Sequence, residues 1–499
     1  RQMCIRDSLK EDNYAVIYKK QGKDPNEKKM TKPEITPIIT NRDVASPFLV
    51  EVQESAVKPI EPVFLDYQKD MSQLKAKSDI PILYKQNVAN DLFQLIYVFD
   101  MGNNHDKALG TAFDYLEYLG TSDMTPEELK SEFYRLACTF YVSPGNERTY
   151  VVLSGLNENM PAAVQLFEKL LADAQVNKEA YTNMTSDILK ARSDAKLNQG
   201  QNFSRLMSFA MYGPKSPATN LLTEAELTNM NPQELVDRIH NQNSYKHRIL
   251  YYGPSSSKDL LATINQYHQV PAALKDIPAG NEYSYLETPV TKVLVAPYDA
   301  KQIYMAQISN LDKKYDPAIE PIRALYDEYF GGGMNSIVFQ EMRETRGLAY
   351  SAWASIMPPS YLKYPYVLRT QIATQNDKMI DAVTTFNDII NNMPESEAAF
   401  KLAKDGLTNR LRTERIIKGD IIWSYINAQD LGQNVDPRIK LYNDIQNMSL
   451  KDIVDFQKQW VKGRTYVYCI LGDKKDLELD KLKAVGPIEE LTQEQIFGY

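Results

Sequence analysis

Apolar residues along this chain recur in two rhythms. Short β-branched and aromatic runs closed by glycine, KHRILYYG at residues 246–253 and RTYVYCILG at residues 464–472, read as strands. Such side chains suit a pleated, half-buried surface, and the glycine ends it in a turn. A third run of the same kind, residues 14–20, stands just before Gly22 and predicts an opening strand. Longer stretches with apolar residues three and four apart, AVQLFEKLL from Ala163 and AVTTFNDII from Ala382, predict amphipathic helices. In the C-terminal part the pattern predicts strands at 294–299 and 303–309, a helix at 317–330, strands at 349–355 and 366–374, and a helix at 395–415 capped by Ser396.

These patterns occur twice. DYLEYLG at 114–120 aligns with LYDEYFG at 325–331, an offset of 211 residues, and the two amphipathic runs from Ala163 and Ala382 are 219 apart, as are Gly253 and Gly472. An offset that drifts so slowly means two homologous domains. Each reads strand, strand, helix, helix, strand, strand, several helices and a terminal strand. Paired strands followed by runs of helices predict an α+β fold, each domain a mainly antiparallel sheet covered by helices. The domains are expected at residues 62–275 and 289–499, joined by a linker at 276–288. Residues 1–61 are expected to hold a non-native start, the last strand of a missing preceding domain and a charged, proline-bearing linker. The octet RQMCIRDS resembles translated adapter sequence and is set aside.

Composition narrows the function classes. The 499 residues are 43% hydrophobic and 24% charged, which suits packed cores and excludes a disordered or collagenous chain. Fifty-seven Lys and Arg against 65 Asp and Glu leave a net charge of −8. That balance offers no general attraction to phosphate backbones or anionic membranes, so no nucleic acid partner is expected. Cys4, Cys138 and Cys469 are far apart and form no CxxC, so neither a disulfide framework nor a zinc knuckle is predicted. Apolar runs such as residues 92–99 are far short of the roughly 20 residues a membrane span needs. No charged start followed by an apolar segment opens the chain.

Candidate chemistry is sparse. Of four histidines, His240 and His247 are seven residues apart, one helix face over two turns, but Asn243 and Ser244 predict a break between them. Surface or capping roles are expected for both, as for His105 and His268. Gly331, Gly332 and Gly333 end a predicted helix and no Gly-Lys-Ser/Thr follows, so they read as a helix C-cap and hinge instead of a phosphate cradle. Arg343 and Tyr350 lie where a helix gives way to a strand. A guanidinium fork and a phenolic O–H together can hold a peptide carbonyl or an oxyanion. The alternative is that Arg343 pairs with Glu341 or Glu344 and Tyr350 is a core strand residue.

The segment GGGMNSIVFQEMRETRGLAYSAWA at 331–354 resembles the C-terminal-half signature of the pitrilysin (insulinase) zinc metallopeptidases, in which a Gly-rich turn leads to an R-x6-Y motif. The resemblance implies four homologous α+β domains arranged as two bowl-shaped halves around a chamber, or two-domain subunits. It also implies an inverted H-x-x-E-H zinc motif, with two histidines and a later glutamate as ligands and the motif glutamate as general base. At the matching place this chain has Asp114, Tyr115, Leu116, Glu117 and Tyr118. Only the glutamate remains. A phenol with a pKa near ~10 does not replace a neutral imidazole as a ligand at neutral pH, and the third-ligand helix, expected near 187–194, holds no glutamate. Asp114, Glu117 and Tyr118 are therefore expected to be a degenerate motif, with no metal in this copy.

By the resemblance, the chain is the non-catalytic, substrate-binding half of a zinc-dependent metalloendopeptidase that hydrolyses peptides in an enclosed chamber. Zinc would be bound by the missing half. Tyr350 would donate to the oxyanion there, and Arg343 would hold substrate backbone or support the tyrosine. The expected partners are an N-terminal active half, or an active subunit, and peptide substrates. The resemblance to long two-half bacterial members favours the periplasm or cell envelope. Two rival readings are a stand-alone inactive subunit or scaffold beside a separate active one, and a peptide-binding module whose chemistry is lost.

Overall fold

In the computed structural model, which describes residues 14–18, 22, 45–56, 58–300 and 302–499, the period-two runs become ladders. The chain divides into two compact units, Arg1–Ile39 and Thr40–Tyr499. Of the predicted opening strand, Tyr14 to Tyr18 is described and carries no strand assignment, with Ile17 90% exposed, while Lys19 and Lys20 lie outside the described residues. A strand exists only through its paired backbone. These five residues have a strand's composition and no ladder among the described residues.

Within Thr40–Tyr499 two six-stranded sheets form. The first contains β1 (Ser72–Lys75), β2 (Pro81–Gln86), β3 (Leu92–Phe99), β4 (Cys138–Pro144), β5 (Thr149–Leu156) and β6 (Arg248–Gly253), in the order β1-β2-β6-β3-β5-β4. The second contains β7 (Lys292–Pro297), β8 (Gln302–Lys314), β9 (Ala349–Met357), β10 (Pro365–Gln375), β11 (Val467–Gly472) and β12 (Ile488–Glu490), in the order β12-β7-β11-β8-β10-β9. Both are mainly antiparallel, and both have a parallel pair at the same place, β2 with β6 and β7 with β11. The order β2-β6-β3-β5-β4 is thus reproduced as β7-β11-β8-β10-β9, the repeat that the sequence offsets predict. Sequence analysis missed β1 and β12, because SQLK and IEE are short, polar and mostly exposed.

Helices cover one face of each sheet. In the first half these are α1 (Leu109–Leu116), α2 (Pro126–Arg135), α3 (Met160–Asp173), α4 (Lys178–Lys196), α6 (Gln233–Asn241) and α7 (Ser257–Tyr267), closing a core that includes Phe99, Phe113, Tyr115, Phe167 and Tyr251. In the second half α8 (Glu320–Phe330), α9 (Met379–Asn391), α10 (Glu397–Thr413) and α12 (Leu450–Trp460) do the same over Tyr326, Tyr329, Tyr366 and Phe386. The start of α10 follows from its cap, since Ser396 Oγ accepts from Ala399 N at 3.2 Å. Helix α8 starts later than predicted, at Glu320, because Asp316 draws the preceding residues into a turn by accepting from Ala318 N at 2.8 Å.

The other faces of the two sheets are covered reciprocally. Helix α5 (Gln199–Tyr212), from the first half, lays Phe203, Leu206, Met207 and Ala210 against Leu294, Ala306, Ile308 and Cys469 of the second sheet. Helix α11 (Asp420–Asp430), from the second half, lays Ile421, Ile422 and Ile426 against Leu83, Ile96, Val152 and Leu250 of the first. Between the halves, Arg148 makes two hydrogen bonds of 2.6 Å to the Asp430 carboxylate and one of 2.6 Å to Asp100.

Candidate functional site

The glycine triplet caps α8 against the edge of the second sheet. A Cβ on Gly331 would collide with the backbone of Ala354 in β9, so only glycine allows the helix end to come this close. Asp327, one turn earlier, ties the same two elements together. Its carboxylate accepts from Ile356 N at 2.9 Å, from Ser355 Oγ at 2.8 Å and from Arg323 Nη1 at 2.8 Å. Burial pushes this carboxyl up to about 6, against the pull of Arg323 and of the Ile356 N–H. Gly331 is the C-cap that its sequence context predicts, and it makes a close helix–strand contact instead of a free hinge.

Beyond the triplet, Ser336 caps a short turn, Ile337–Phe339, which runs into a π-helical segment, Gln340–Thr345. Arg343 lies in that segment, and Gly347, at φ 54°, turns the chain into β9. Tyr350 is the second residue of β9, which is the open edge of its sheet. The ladder to β10 pairs Ala349 with Thr374 and then Ser351 with Ala373, so Tyr350 is the extra residue of a β-bulge. A bulge breaks the alternation of faces and re-aims a side chain, and Tyr350 is 75% exposed. The expectation of a core strand tyrosine is therefore corrected. Arg343 does pair with Glu344, Nε to Oε1 at 3.4 Å, but its guanidinium carbon also lies 4.8 Å from the Tyr350 ring centroid and 5.0 Å from that of Phe339. The structure brings Arg343 and Tyr350 together. Phe339 joins them unforeseen, although its spacing of four residues before Arg343 within a helical turn could have indicated it.

The degenerate motif is in a different place and has a different shape. Tyr115 and Leu116 face the core, and Tyr115 Oη donates to Asn177 O at 2.6 Å. Asp114 and Glu117 face outward, and Tyr118 is 43% exposed. Helix α1 ends at Leu116 with Glu117 as its C-cap, and Tyr118 N donates to Tyr115 O in a tightened last turn. A zinc pair at i and i+4 needs a helix that continues through both positions, and this one does not. Desolvation, and then the negative charge of Glu117, raise the Asp114 carboxyl. Helix α4 does pack beside α1, but it presents Tyr181 there, edge-on to Tyr115 with ring centroids 5.6 Å apart, and no glutamate. These residues do not fit a zinc ion, and no group of three or more His, Cys, Asp and Glu among the described residues could hold a metal. Glu117 instead lines a hollow of about 670 Å³ with Lys130, Phe133, Tyr134 and the open edge strand β4.

The histidines divide differently from their spacing. His240 Nε2 meets Ala174 O at 3.1 Å, and His105 Nδ1 accepts from Gly102 N at 3.1 Å. His247 and His268, by contrast, are buried in a network that sequence analysis missed. His247 Nδ1 is 2.7 Å from Tyr245 O, His247 Nε2 is 2.8 Å from His268 Nε2, and His268 Nδ1 is 2.6 Å from Glu168 Oε1. Gln269 N and Asn243 Nδ2 donate to Glu168 Oε2 at 2.9 and 3.0 Å. Nothing in the sequence signals this network, because Glu168 and His268 are a hundred residues apart. Cys138 and Cys469 are buried free thiols, and burial pushes Cys469 up to about 12, which leaves it inert.

Residues 249–407, from β6 through Arg343 and Tyr350 into α10, match the family model of the peptidase M16 inactive domain. Over that segment the chain is similar to the peptidase M16 inactive domain. The Helicobacter pylori protein named non-peptidase homolog YmxG is 23% identical over 422 residues, covering 80% of this chain and 93% of that one. A solved M16 inactive domain from Pseudomonas fluorescens superposes with a TM-score of 0.63 at 15% identity, covering 81% of this chain and 98% of that chain. The periplasmic protease PqqL from Escherichia coli superposes with a TM-score of 0.64 at 13% identity, covering 90% of this chain but only 49% of PqqL. The fold is that of M16 domain pairs. No helix among the described residues is long and apolar enough to cross a membrane.

Proposed function

We propose that this chain is the non-catalytic, substrate-binding half of a zinc-dependent M16 metalloendopeptidase. The observation that carries this reading is Arg343 stacked on an exposed Tyr350 in a bulge of an open edge strand, in a chain whose motif at residues 114–118 has no histidine. Zinc and the general base would belong to an active half. Tyr350 would donate its hydroxyl proton to the oxyanion that develops on the scissile carbonyl, and Arg343 would hold peptide backbone beside it. The length of PqqL, twice that of the matched region, supports a missing half, and its description as periplasmic supports a cell-envelope location.

The test is hydrolysis of a quenched fluorescent peptide, with zinc, by this chain alone and by this chain mixed with an active M16 half. Hydrolysis is expected only in the mixture. There, Tyr350→Phe is expected to lower kcat about 10²-fold, the scale of one lost oxyanion donor, and Arg343→Ala to raise KM. Zinc-dependent hydrolysis by the chain alone, or unchanged turnover with Tyr350→Phe, would overturn the reading. A second reading, a stand-alone inactive subunit beside a separate active one, is favoured by the near-complete span of YmxG and of the Pseudomonas fluorescens chain. The reading frame upstream of Leu9 separates the two: an H-x-x-E-H domain in frame favours the half-enzyme.

A further inference from the structure

The geometry points to Phe339 as the positioning residue that holds Arg343, and through it Tyr350, in a fixed relation. The inference rests on the proposed role of that pair and adds what organises it. Arg343 sits on a π-helical segment with its side chain 38% exposed, and the Glu344 carboxylate is 3.4 Å from its Nε. Such an arm on the surface has many rotamers open to it. Two rings remove them. The guanidinium carbon is 5.0 Å from the Phe339 centroid and 4.8 Å from the Tyr350 centroid, and a planar, weakly hydrated cation is suited to aromatic faces.

Of the two rings, only Phe339 is itself anchored. It is half-buried, ends the turn that Ser336 caps, and stands between the core residue Val338 and the π-segment. Tyr350 is exposed in its bulge, so its ring takes its place from Arg343. The order of support therefore runs from Phe339 to Arg343 to Tyr350. Around it the backbone is fixed as well: Gly347 N donates to Arg343 O at 3.0 Å, Leu348 N to Met342 O at 2.9 Å, and Thr374 Oγ1 to Leu348 O at 2.6 Å. With both ends of the segment tied down, the ring of Phe339 decides where the guanidinium rests.

The experiment uses the full chain with Phe339→Leu, which keeps apolar bulk and removes the ring face, and Phe339→Tyr, which restores the ring. By NMR, the Arg343 Nε–Hε resonance is expected to carry a ring-current shift in the parent chain and in Phe339→Tyr, and to lose it in Phe339→Leu. In the mixed enzyme, Phe339→Leu is expected to lower kcat/KM about 2–5-fold, the scale of one exposed cation–π contact, and Phe339→Tyr to restore it. In an Arg343→Ala background, Phe339→Leu is expected to have no further effect, because a residue acting through another loses its effect when that other is gone. Equal losses in both backgrounds, or an unshifted Arg343 resonance in the parent chain, overturn the inference. If Arg343→Ala and Tyr350→Phe leave turnover unchanged, the reading of the pair has failed, and the resonance still decides whether Phe339 holds Arg343.

Discussion

Tyr118 stands just past the end of α1, where the resemblance to an H-x-x-E-H motif would place an imidazole. Placing histidines at Asp114 and Tyr118 would write H-x-x-E-H into the sequence, but α1 stops at Leu116 and α4 packs Tyr181 against Tyr115. The double variant Asp114→His, Tyr118→His is expected to retain no stoichiometric zinc after dialysis, measured by metal analysis. Retained zinc at one per chain would show that the local geometry recovers with the ligands. At this scale the sequence was partly legible. Arg343 and Tyr350 could be paired by spacing, because a helix end and a strand start seven residues apart bring side chains together. The bulge that turns Tyr350 outward could not be foreseen, since a bulge is a mismatch of register between β9 and β10 and register is set by the partner strand.

At the scale of elements, the Glu168–His268–His247 network joins α3, the segment after α7 and the start of β6. Tyr97 of β3 is the other titratable group against it, its ring centroid 4.4 Å from that of His268. Burial, and then the charge of His268, lower His247 to about 4 from an ordinary value of 6.5. A base with a depressed folded pKa leaves the unfolded chain binding more protons between those values. The contribution of His247 is therefore complete above pH 6.5 and is lost as pH falls toward 4. Thermal unfolding followed from pH 7.5 to 4.5 is expected to lose up to about 3 kcal/mol from this source, and His247→Gln to flatten that slope. An unchanged slope in the variant would remove His247 as the cause. The elements themselves were largely legible where they repeat and bury one face. The failures lie at β1 and β12, which bury almost nothing.

At the scale of the whole molecule, the two halves are one object. Arg148 and Asp430 are both nearly buried, with side chains 13% and 16% exposed. Asp430→Ala leaves Arg148 with Asp100 as its remaining partner, so a loss of about 1–3 kcal/mol is expected instead of the larger cost of a fully stranded charge. Calorimetry of the full chain is expected to show one transition in both the parent and the variant, shifted down in the variant. Two resolved transitions would mean that the halves melt independently. The reciprocal packing of α5 and α11 also has a consequence in time. Helix α5 leaves the ribosome long before β11, against which it packs, has been made. At about 5–20 residues per second, its apolar face waits roughly ten to fifty seconds for its cover, an interval in which the nascent chain depends on whatever else will shield it.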